Sequence, residues 1–267
     1  MKKRCLKAAW MTVVMGLLVG AANVGAQGTS APSGRDYSKD PLQLLIDCRA
    51  AQQGVTGFTT IFTKHERIKG ELREQETMLM KCRYAPFSVY FKWLRNPKKD
   101  REAIYREGNY DNKVLGHQPP LPITAKLVPN SPDALKESLR PITLAGFRNT
   151  LDAMIKVTSE AKKAGDLHIF CINDDMYNGR PAYCIVRMLP KTGAYPYFLL
   201  YVYVDKEWMV PVRIAAFDWD DNLVSCYTFS DVKLNAPLTD TDFDRDNPDY
   251  GYPTDILGKL LGVGKKK

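Results

Sequence analysis

The strongest constraint on the fold of this chain is a series of short strand-like segments that are joined by turn residues. Over residues 57–68, Thr, Phe and Ile alternate with polar and charged residues, which is the two-residue period of a β-strand that buries one face. The joining segments are short and rich in Gly, Asn, Asp and Pro, so consecutive strands should be antiparallel neighbours. Further strands are predicted over 72–84, 87–94, 101–106, 167–172, 183–189, 197–204, 210–217 and 223–229.

Two other segments have the period of a helix. The first is predicted over 40–54, because Asp40 followed by Pro41 is typical of an N-cap and the first helical position. The second is predicted over 143–164, with Thr143 as its N-cap and Gly165 at its end. The apolar face of this second helix is formed by Leu144, Phe147, Leu151, Met154, Ile155 and Thr158.

The order of the elements is helix, strand meander, helix and second strand meander, with a proline-rich crossing loop over 118–141 before the second helix. No change of composition divides this series, so we predict a single α+β domain over 40–245. Residues 246–267 are expected to form a loop, a short apolar segment and a basic tail.

The first 26 residues have the three-part pattern of a secretory signal peptide. Basic residues open it, an apolar stretch covers 8–22, and the small residues 24–26 close it. The alternative is an uncleaved anchor helix, which normally requires a longer apolar stretch. No cysteine directly follows the stretch, so we expect export to the periplasm without a lipid anchor, and a flexible polar linker over 27–39.

The net charge argues against a nucleic-acid partner. The whole chain carries +8, but residues 1–26 contain four Lys or Arg and no Asp or Glu, so the rest carries +4. Three of those charges belong to Lys265, Lys266 and Lys267, which leaves the folded part without the excess of Lys and Arg expected for a basic face. We interpret the tail as a solvated end, with peripheral contact to anionic lipid as the alternative.

The cysteines do not have the spacing of a metal site. Five remain after the signal peptide, and none lies in a CxxC pair. Export permits disulfides, and Cys171 and Cys184 flank a turn-rich segment, so this pair is the disulfide candidate, with free thiols as the alternative. Because the count is odd, at least one thiol stays free or pairs with another chain.

The sequence gives little support for enzyme chemistry. His65, His117 and His168 have no second metal ligand at helical spacing, and neither a nucleophile elbow nor a glycine-rich phosphate loop occurs. The acidic run 218–222 begins like a calcium loop but lacks its glycine and its closing glutamate, so a polar turn is favoured. We therefore predict no catalytic residue, no metal and no cofactor.

Several strand and turn motifs carry a resemblance to known proteins. They are Tyr84-Ala-Pro-Phe-Ser-Val-Tyr-Phe-Lys-Trp93, the segment 97–105 with Gly108, and Arg140-Pro-Ile-Thr143 with Gly146. They resemble a family of exported bacterial proteins that is known only as a domain of unknown function. The closing strands over 204–243 are more distantly similar to the lipoprotein-carrier (LolA/LolB-like) fold. That resemblance implies a strongly curved antiparallel sheet, a half-barrel, that wraps two or three helices.

The carrier-like resemblance also implies a concave apolar face that holds acyl chains. No position of this sequence matches the arginine that anchors the lid in carriers. We expect a periplasmic, non-enzymatic binding protein whose partner is a lipid, a lipoprotein acyl chain or another acyl-bearing molecule. The side chains expected to line the site, for each of which ordinary core packing is the alternative, are Phe58, Phe62, Met80, Phe91, Trp93, Phe198 and Leu200.

Two other functions stay open at this point. The first is an interaction module on the same fold that binds an envelope protein or regulates a sensor without a small ligand. The second is an enzyme that acts on polysaccharide, whose paired carboxylates would meet only in space. The strand predicted over 197–204 is apolar on both faces, so one of its faces must be covered by helices and the other by further core or by a ligand.

Overall fold

The computed structural model describes residues 35–95 and 97–253. The expected signal peptide, the first part of the expected linker and the apolar segment and basic tail at the end of the chain lie outside these residues. The strands are β1 Gly57–Ile68, β2 Glu71–Leu72, β3 Glu76–Tyr84, β4 Phe87–Trp93, β5 Glu102–Arg106, β6 Val114–His117, β7 Thr124–Leu127, β8 His168–Tyr177, β9 Arg180–Met188, β10 Leu199–Asp205, β11 Val210–Phe217 and β12 Leu223–Leu234; the helices are α1 Pro41–Ala51 and α2 Phe147–Ala164.

All of these strands belong to one curved antiparallel sheet. Its order is β7-β6-β5-β4-β3-β1-β12-β11-β10-β9-β8, with β2 paired to the end of β1. The pairing of β1 with β12 joins the first meander to the last strand of the second, and the sheet stays open between β7 and β8. The predicted α+β fold, a curved antiparallel sheet with helices, is confirmed.

The two helices cover part of the inner face of the sheet. On α2 the buried side chains recur at helical spacing, so this helix presents one apolar face to the strands. Phe147 begins that face and stacks on Phe58 of β1 with ring centroids 4.4 Å apart. On α1 the buried side chains are Pro41, Leu42, Leu44, Leu45 and Cys48.

The start of α2 differs from the prediction. Residues Ile142–Leu144 form a separate 3₁₀ turn, and Gly146, rather than Thr143, is the N-cap of α2. Gly146 has a φ of +94°, and a Cβ at this position would lie 3.1 Å from the Cys82 sulfur. Only glycine fits this backbone without strain, so the close approach of α2 to β3 sets where the helix begins.

Two short strands, one before the crossing loop and one within it, were not revealed by the sequence pattern. β7 lies inside the loop predicted over 118–141, and β6 immediately precedes it. Each strand has four residues, and the side chains of β7 are half-buried or exposed, so neither shows a clear alternation of buried and exposed positions. Together they extend the first meander and carry the remainder of the loop over the inner face.

The packed part of the chain begins before Asp40. Tyr37 lies in the segment expected to be a flexible linker, but its ring is buried and packs edge-on against Tyr183, 5.1 Å away. Its hydroxyl donates a hydrogen bond to Asp47 at 2.9 Å, and its backbone N–H donates to Asn173. These contacts move the start of the folded segment to Tyr37 at the latest.

The Cys171–Cys184 pairing is not formed. All five cysteines of the described residues are free thiols. In the β8–β9 register Cys171 lies opposite Ile185, and Cys184 lies opposite Ile172. Because an offset of one residue turns a side chain to the other face of a sheet, the two sulfurs lie on opposite faces. The disulfide prediction therefore fails on register.

The C-terminal segment covers the outer face of the first meander. Phe243 and Tyr252 pack with Tyr90 and its neighbours in a second, smaller core. Tyr250 stacks on Tyr90 with centroids 4.1 Å apart and planes 4° apart. Asp240 adds ion pairs to two arginines of the sheet. The segment after β12 is therefore part of the packed structure up to at least Tyr252.

In the described residues, neither helix is long and apolar enough to span a membrane.

Candidate functional site

A hollow of about 440 Å³ lies between the inner face of the first meander and the crossing loop. Neither α1 nor the buried part of α2 fills this half of the concave face, because their apolar side chains pack farther along the sheet. The floor consists of apolar side chains on four adjacent strands, Phe62, Met78, Met80, Phe91, Tyr227 and Phe229. The crossing loop and the 3₁₀ turn supply the opposite wall with Leu121, Ile123, Leu127, Ile142 and Leu144.

The floor is continuous because its side chains are register partners. Phe62 of β1 lies opposite Met78 of β3 on one side and opposite Phe229 of β12 on the other. The Phe62 ring is 5.0 Å from the Phe229 ring and 6.0 Å from the Phe91 ring, centroid to centroid. Such aromatic pairs hold one another in fixed orientations. The aromatic part of the floor is therefore held in place by neighbouring strands.

Four of the seven side chains expected at the site line the hollow, namely Phe62, Met80, Phe91 and Trp93. Phe58 does not, because Phe147 of α2 covers its ring completely. Leu200 lies in the main core and is also buried. Phe198, just before β10, is half-buried and does not line the hollow. Contact of the four lining residues with a ligand stays a prediction.

One end of the hollow contains a buried network of charges. Lys64 donates a hydrogen bond to Glu66 at 3.1 Å, and its nitrogen lies 3.6 Å from Glu76. The hydroxyl of Tyr227 donates to Glu66 at 2.5 Å, and the indole N–H of Trp93 donates to Glu76 at 2.6 Å. Because each carboxylate accepts a hydrogen bond from a neutral group as well as from lysine, the buried charges are compensated.

This network was not predicted, although the sequence of β1 contains a signal for it. Lys64 and Glu66 continue the inward positions of Phe58 and Phe62 along β1. Two charged residues on the buried face of a strand indicate a polar site or an internal ion pair. Their partner Glu76 comes from another strand, so the strand pattern could have raised the question without identifying the pair.

The crossing loop is fastened to the sheet at the same end. Glu137 of the loop lies 2.6 Å from an Arg101 nitrogen and 3.2 Å from the Lys98 nitrogen. Its backbone carbonyl accepts a hydrogen bond from Lys64 at 2.9 Å. Lys98 also pairs with Glu76, which connects the loop contact to the buried network. We call the Glu137 contacts with Arg101, Lys98 and Lys64 the latch.

The latch keeps Glu137 ionised. Burial alone would raise the pKa of this carboxyl, but the hydrogen bond from Arg101 and the charge of Lys98 outweigh it and lower the pKa below its usual value. Arg101 in turn lies over the Trp93 ring, 5.7 Å from its centroid. Opening the loop would expose the latch residues and the apolar floor together.

Other polar clusters do not form a comparable site. In the described residues, no group of three or more His, Cys, Asp or Glu could hold a metal ion. Asp218 accepts hydrogen bonds from the backbone of Asp220 and Asn222, so the acidic run is a turn, as the sequence pattern favoured. A second hollow, of about 680 Å³, lies at the bulge between β1 and β12. Two of the charged side chains that line it, Arg180 and Asp205, form an ion pair with each other.

Comparison with known families identifies one match. A family described as "Protein of unknown function (DUF1571)" matches residues 55–252, which include both meanders, the crossing loop and the C-terminal segment. The comparison with curated proteins returned no match.

Several solved structures are similar in fold. The lipoprotein LppX of Mycobacterium tuberculosis is 12% identical, with a TM-score of 0.45 over 77% of this chain and 100% of that chain. The LolA superfamily protein NE2245 of Nitrosomonas europaea is 10% identical, with a TM-score of 0.34 over 76% and 97%. A chain of the Pseudomonas aeruginosa MucA/MucB complex is 13% identical, with a TM-score of 0.44; the match covers 78% of this chain and 61% of that one.

Proposed function

The chain belongs to the DUF1571 family of proteins of unknown function, and from that premise we propose that it is a non-enzymatic binding protein of the cell envelope. Its ligand is a lipid, a lipoprotein acyl chain or another acyl-bearing molecule, whose apolar part occupies the hollow. The pattern of residues 1–26 supports export to the periplasm. The proposal assigns binding to the hollow and no covalent chemistry to the chain.

The observation that carries the proposal is the unfilled apolar hollow itself. Protein interiors are close-packed, and sites for small molecules typically measure about 300–1,000 Å³ with mainly apolar walls. The hollow has about 440 Å³ and a floor of aromatic, methionine and aliphatic side chains. An alkyl chain is the ligand part that such walls bind, because they offer apolar surface and few hydrogen-bonding groups.

The energy of an alkyl chain in this hollow is substantial but not sufficient for tight binding. Burial contributes about 0.8 kcal/mol per methylene, so about ten methylenes contribute roughly 8 kcal/mol. Association costs at least about 4 kcal/mol in lost motion, which leaves millimolar affinity. Tight binding therefore needs either more methylenes or additional polar contacts near the hollow.

The crossing loop also offers an entry to the hollow. Ile123 and Val128 are 64% and 56% exposed, and Leu121 and Leu144 are exposed as well. Single exposed apolar residues are ordinary, but a group on one loop beside an apolar hollow is typical of a binding surface. A ligand that leaves a membrane or a protein would meet apolar side chains before it reaches the floor.

Uptake of a fluorescent fatty acid by the purified chain tests the proposal. Phe91→Glu places a carboxylate in the floor and should abolish uptake. Phe170→Glu is the matched control, because Phe170 is exposed on the edge strand β8 and does not line the hollow. Uptake that survives in folded Phe91→Glu, or that is lost equally in the control, would refute binding in the hollow.

A second candidate function rests on the open edge of the sheet. Among the described residues β8 has one strand partner, and Phe170, Ile172 and Met176 lie exposed along it. An exposed apolar edge strand can pair with another chain by strand addition. If the chain is instead an interaction module, Ile172→Lys should weaken capture of an envelope protein in a pull-down, and Phe91→Glu should leave it unchanged.

A further inference from the structure

A buried arginine lies below α2 without a carboxylate partner. Arg187 of β9 is 2% exposed and donates a hydrogen bond to the Thr158 hydroxyl at 2.9 Å. Its Nε has no hydrogen-bond partner among the described residues. Burial lowers the pKa of this guanidinium, an effect that the nearby phenol of Tyr197 partly opposes. Within the described part of the chain, Arg187 forms no ion pair.

This arrangement is costly for an empty protein. A buried charge without a counter-ion costs several kcal/mol, and a neutral hydroxyl with an aromatic ring offsets only part of that cost. The buried Lys64 of β1, by contrast, is compensated by Glu66 and Glu76. A buried arginine that the chain itself leaves uncompensated indicates an anion from outside the chain.

A second arginine connects this position to the hollow. Arg140 lines the hollow, and its NH2 approaches the Tyr197 hydroxyl at 3.5 Å. Its guanidinium also lies 5.7 Å from the centroid of the Tyr227 ring, which belongs to the floor. On the other side, the Arg187 guanidinium lies 6.0 Å from the centroid of the Tyr197 ring. Tyr197 thus contacts one arginine at the wall of the hollow and one buried arginine.

Arg140 differs from three other cations that line the hollow. Lys64, Lys98 and Arg101 are each bound to at least one glutamate. Arg140 forms no ion pair with any carboxylate in the described ranges, and its other close contacts are aromatic. Its planar fork of N–H donors is therefore available to an incoming carboxylate or phosphate, which it can bind through two parallel hydrogen bonds.

We propose that Arg140, Arg187 and Tyr197 form a subsite for the anionic head group of an amphiphile whose apolar part lies in the hollow. The ligand class is then a carboxylate or a phosphate ester that carries an acyl or alkyl chain. Arg140 binds the anion directly, the Tyr197 hydroxyl donates a hydrogen bond to it, and Arg187 supplies the buried positive charge behind it. This inference rests on the proposed function and supplies the polar contacts that the alkyl chain alone lacks.

The test compares an anionic ligand with its neutral counterpart. Dodecanoic acid, methyl dodecanoate and dodecyl phosphate are titrated into the full-length chain, and affinities are measured by isothermal titration calorimetry or by displacement of a fluorescent fatty acid. Hydrogen bonds to charged groups contribute enough for a preference of about 10- to 100-fold. We expect this preference for the acid or the phosphate over the ester. Of the two anionic ligands, the one that binds with higher affinity identifies the head-group chemistry.

Two arginine variants test which residues cause the preference for an anionic ligand. Arg140→Gln should lose the preference, with its affinity for the acid falling to that for the ester. Arg213→Gln is the matched control, because Arg213 lies on the outer face, where it contacts the Tyr177 ring. Arg187→Met, of similar length and uncharged, should lose the preference and have an unfolding temperature without ligand at least equal to that of the unsubstituted chain.

The outcomes separate the two proposals. Equal affinity for acid and ester in the unsubstituted chain refutes the subsite but leaves binding in the hollow intact. A preference that survives in Arg140→Gln also refutes it, and Tyr197→Phe, which removes only the hydroxyl, repeats the test with a smaller change. Absence of binding for all three compounds refutes the proposed function and the subsite together.

Discussion

The substitution Ala103→Leu separates a binding hollow from an ordinary packing defect. Ala103 of β5 lines the hollow and lies opposite Phe91 in the β4–β5 register, so a larger side chain there points into the empty space. Leucine adds three carbons, which displace about three methylenes of a bound chain. At about 0.8 kcal/mol for each, the affinity for a fatty acid should fall by roughly 2.4 kcal/mol, or about 50-fold.

The same substitution should stabilise the protein. Filling a cavity commonly contributes about 0.5–2 kcal/mol, so the free energy of unfolding of Ala103→Leu should equal or exceed that of the unsubstituted chain. Denaturant titration measures this quantity, and calorimetric titration with dodecanoic acid measures the affinity. Ala50→Leu on the exposed side of α1 adds the same carbons away from the hollow and should change neither. Unchanged affinity in folded, stable Ala103→Leu would refute the assignment of the hollow.

Three further predictions concern the latch, the floor and the thiols. Glu137→Gln should release a bound fluorescent fatty acid several-fold faster in stopped-flow exchange. Because the pKa of Glu137 is lowered, the latch should persist from pH 8 to 5 and weaken only as the pH falls below the usual range of a glutamate, near 4, which release rates at each pH would reveal. Phe58→Ala should lower the free energy of unfolding by about 3–5 kcal/mol, since its ring is fully buried against Phe147, whereas Phe62→Ala should mainly lower affinity; similar stability losses would contradict this division. Burial raises the pKa of the Cys171 thiol to about 12, so Cys171 should react slowly with a thiol reagent at pH 8 in the folded chain, and mass spectrometry should find no Cys171–Cys184 bond.

The alternation of apolar and polar residues predicted most of the strands of the fold. The alternation in residues 57–68 matches β1 to the residue, because the inward positions of that strand are buried, except for the half-buried Phe62. The apolar residues assigned to the second helix lie on the buried face of α2 from Phe147 onward. The strands β6 and β7 were not predicted, because a segment of four residues has too few positions to show a period.

The site could be predicted only in part, and the reason is tertiary packing. Phe58 and Phe62 occupy equivalent inward positions on β1, so no local pattern distinguishes them. The placement of Phe147 decides that Phe58 is core and that Phe62 stays beside empty space. The latch and the Arg140–Tyr197 contact join residues far apart in sequence, which a single sequence does not place together.

Native mass spectrometry of the chain purified from an envelope fraction tests the central claim most directly. We expect an added mass that corresponds to an acyl-bearing molecule, present on the unsubstituted chain and on Ala50→Leu, and strongly reduced on Ala103→Leu. A chain that carries no such mass, and that acquires none after incubation with dodecanoic acid or dodecyl phosphate, would contradict the account.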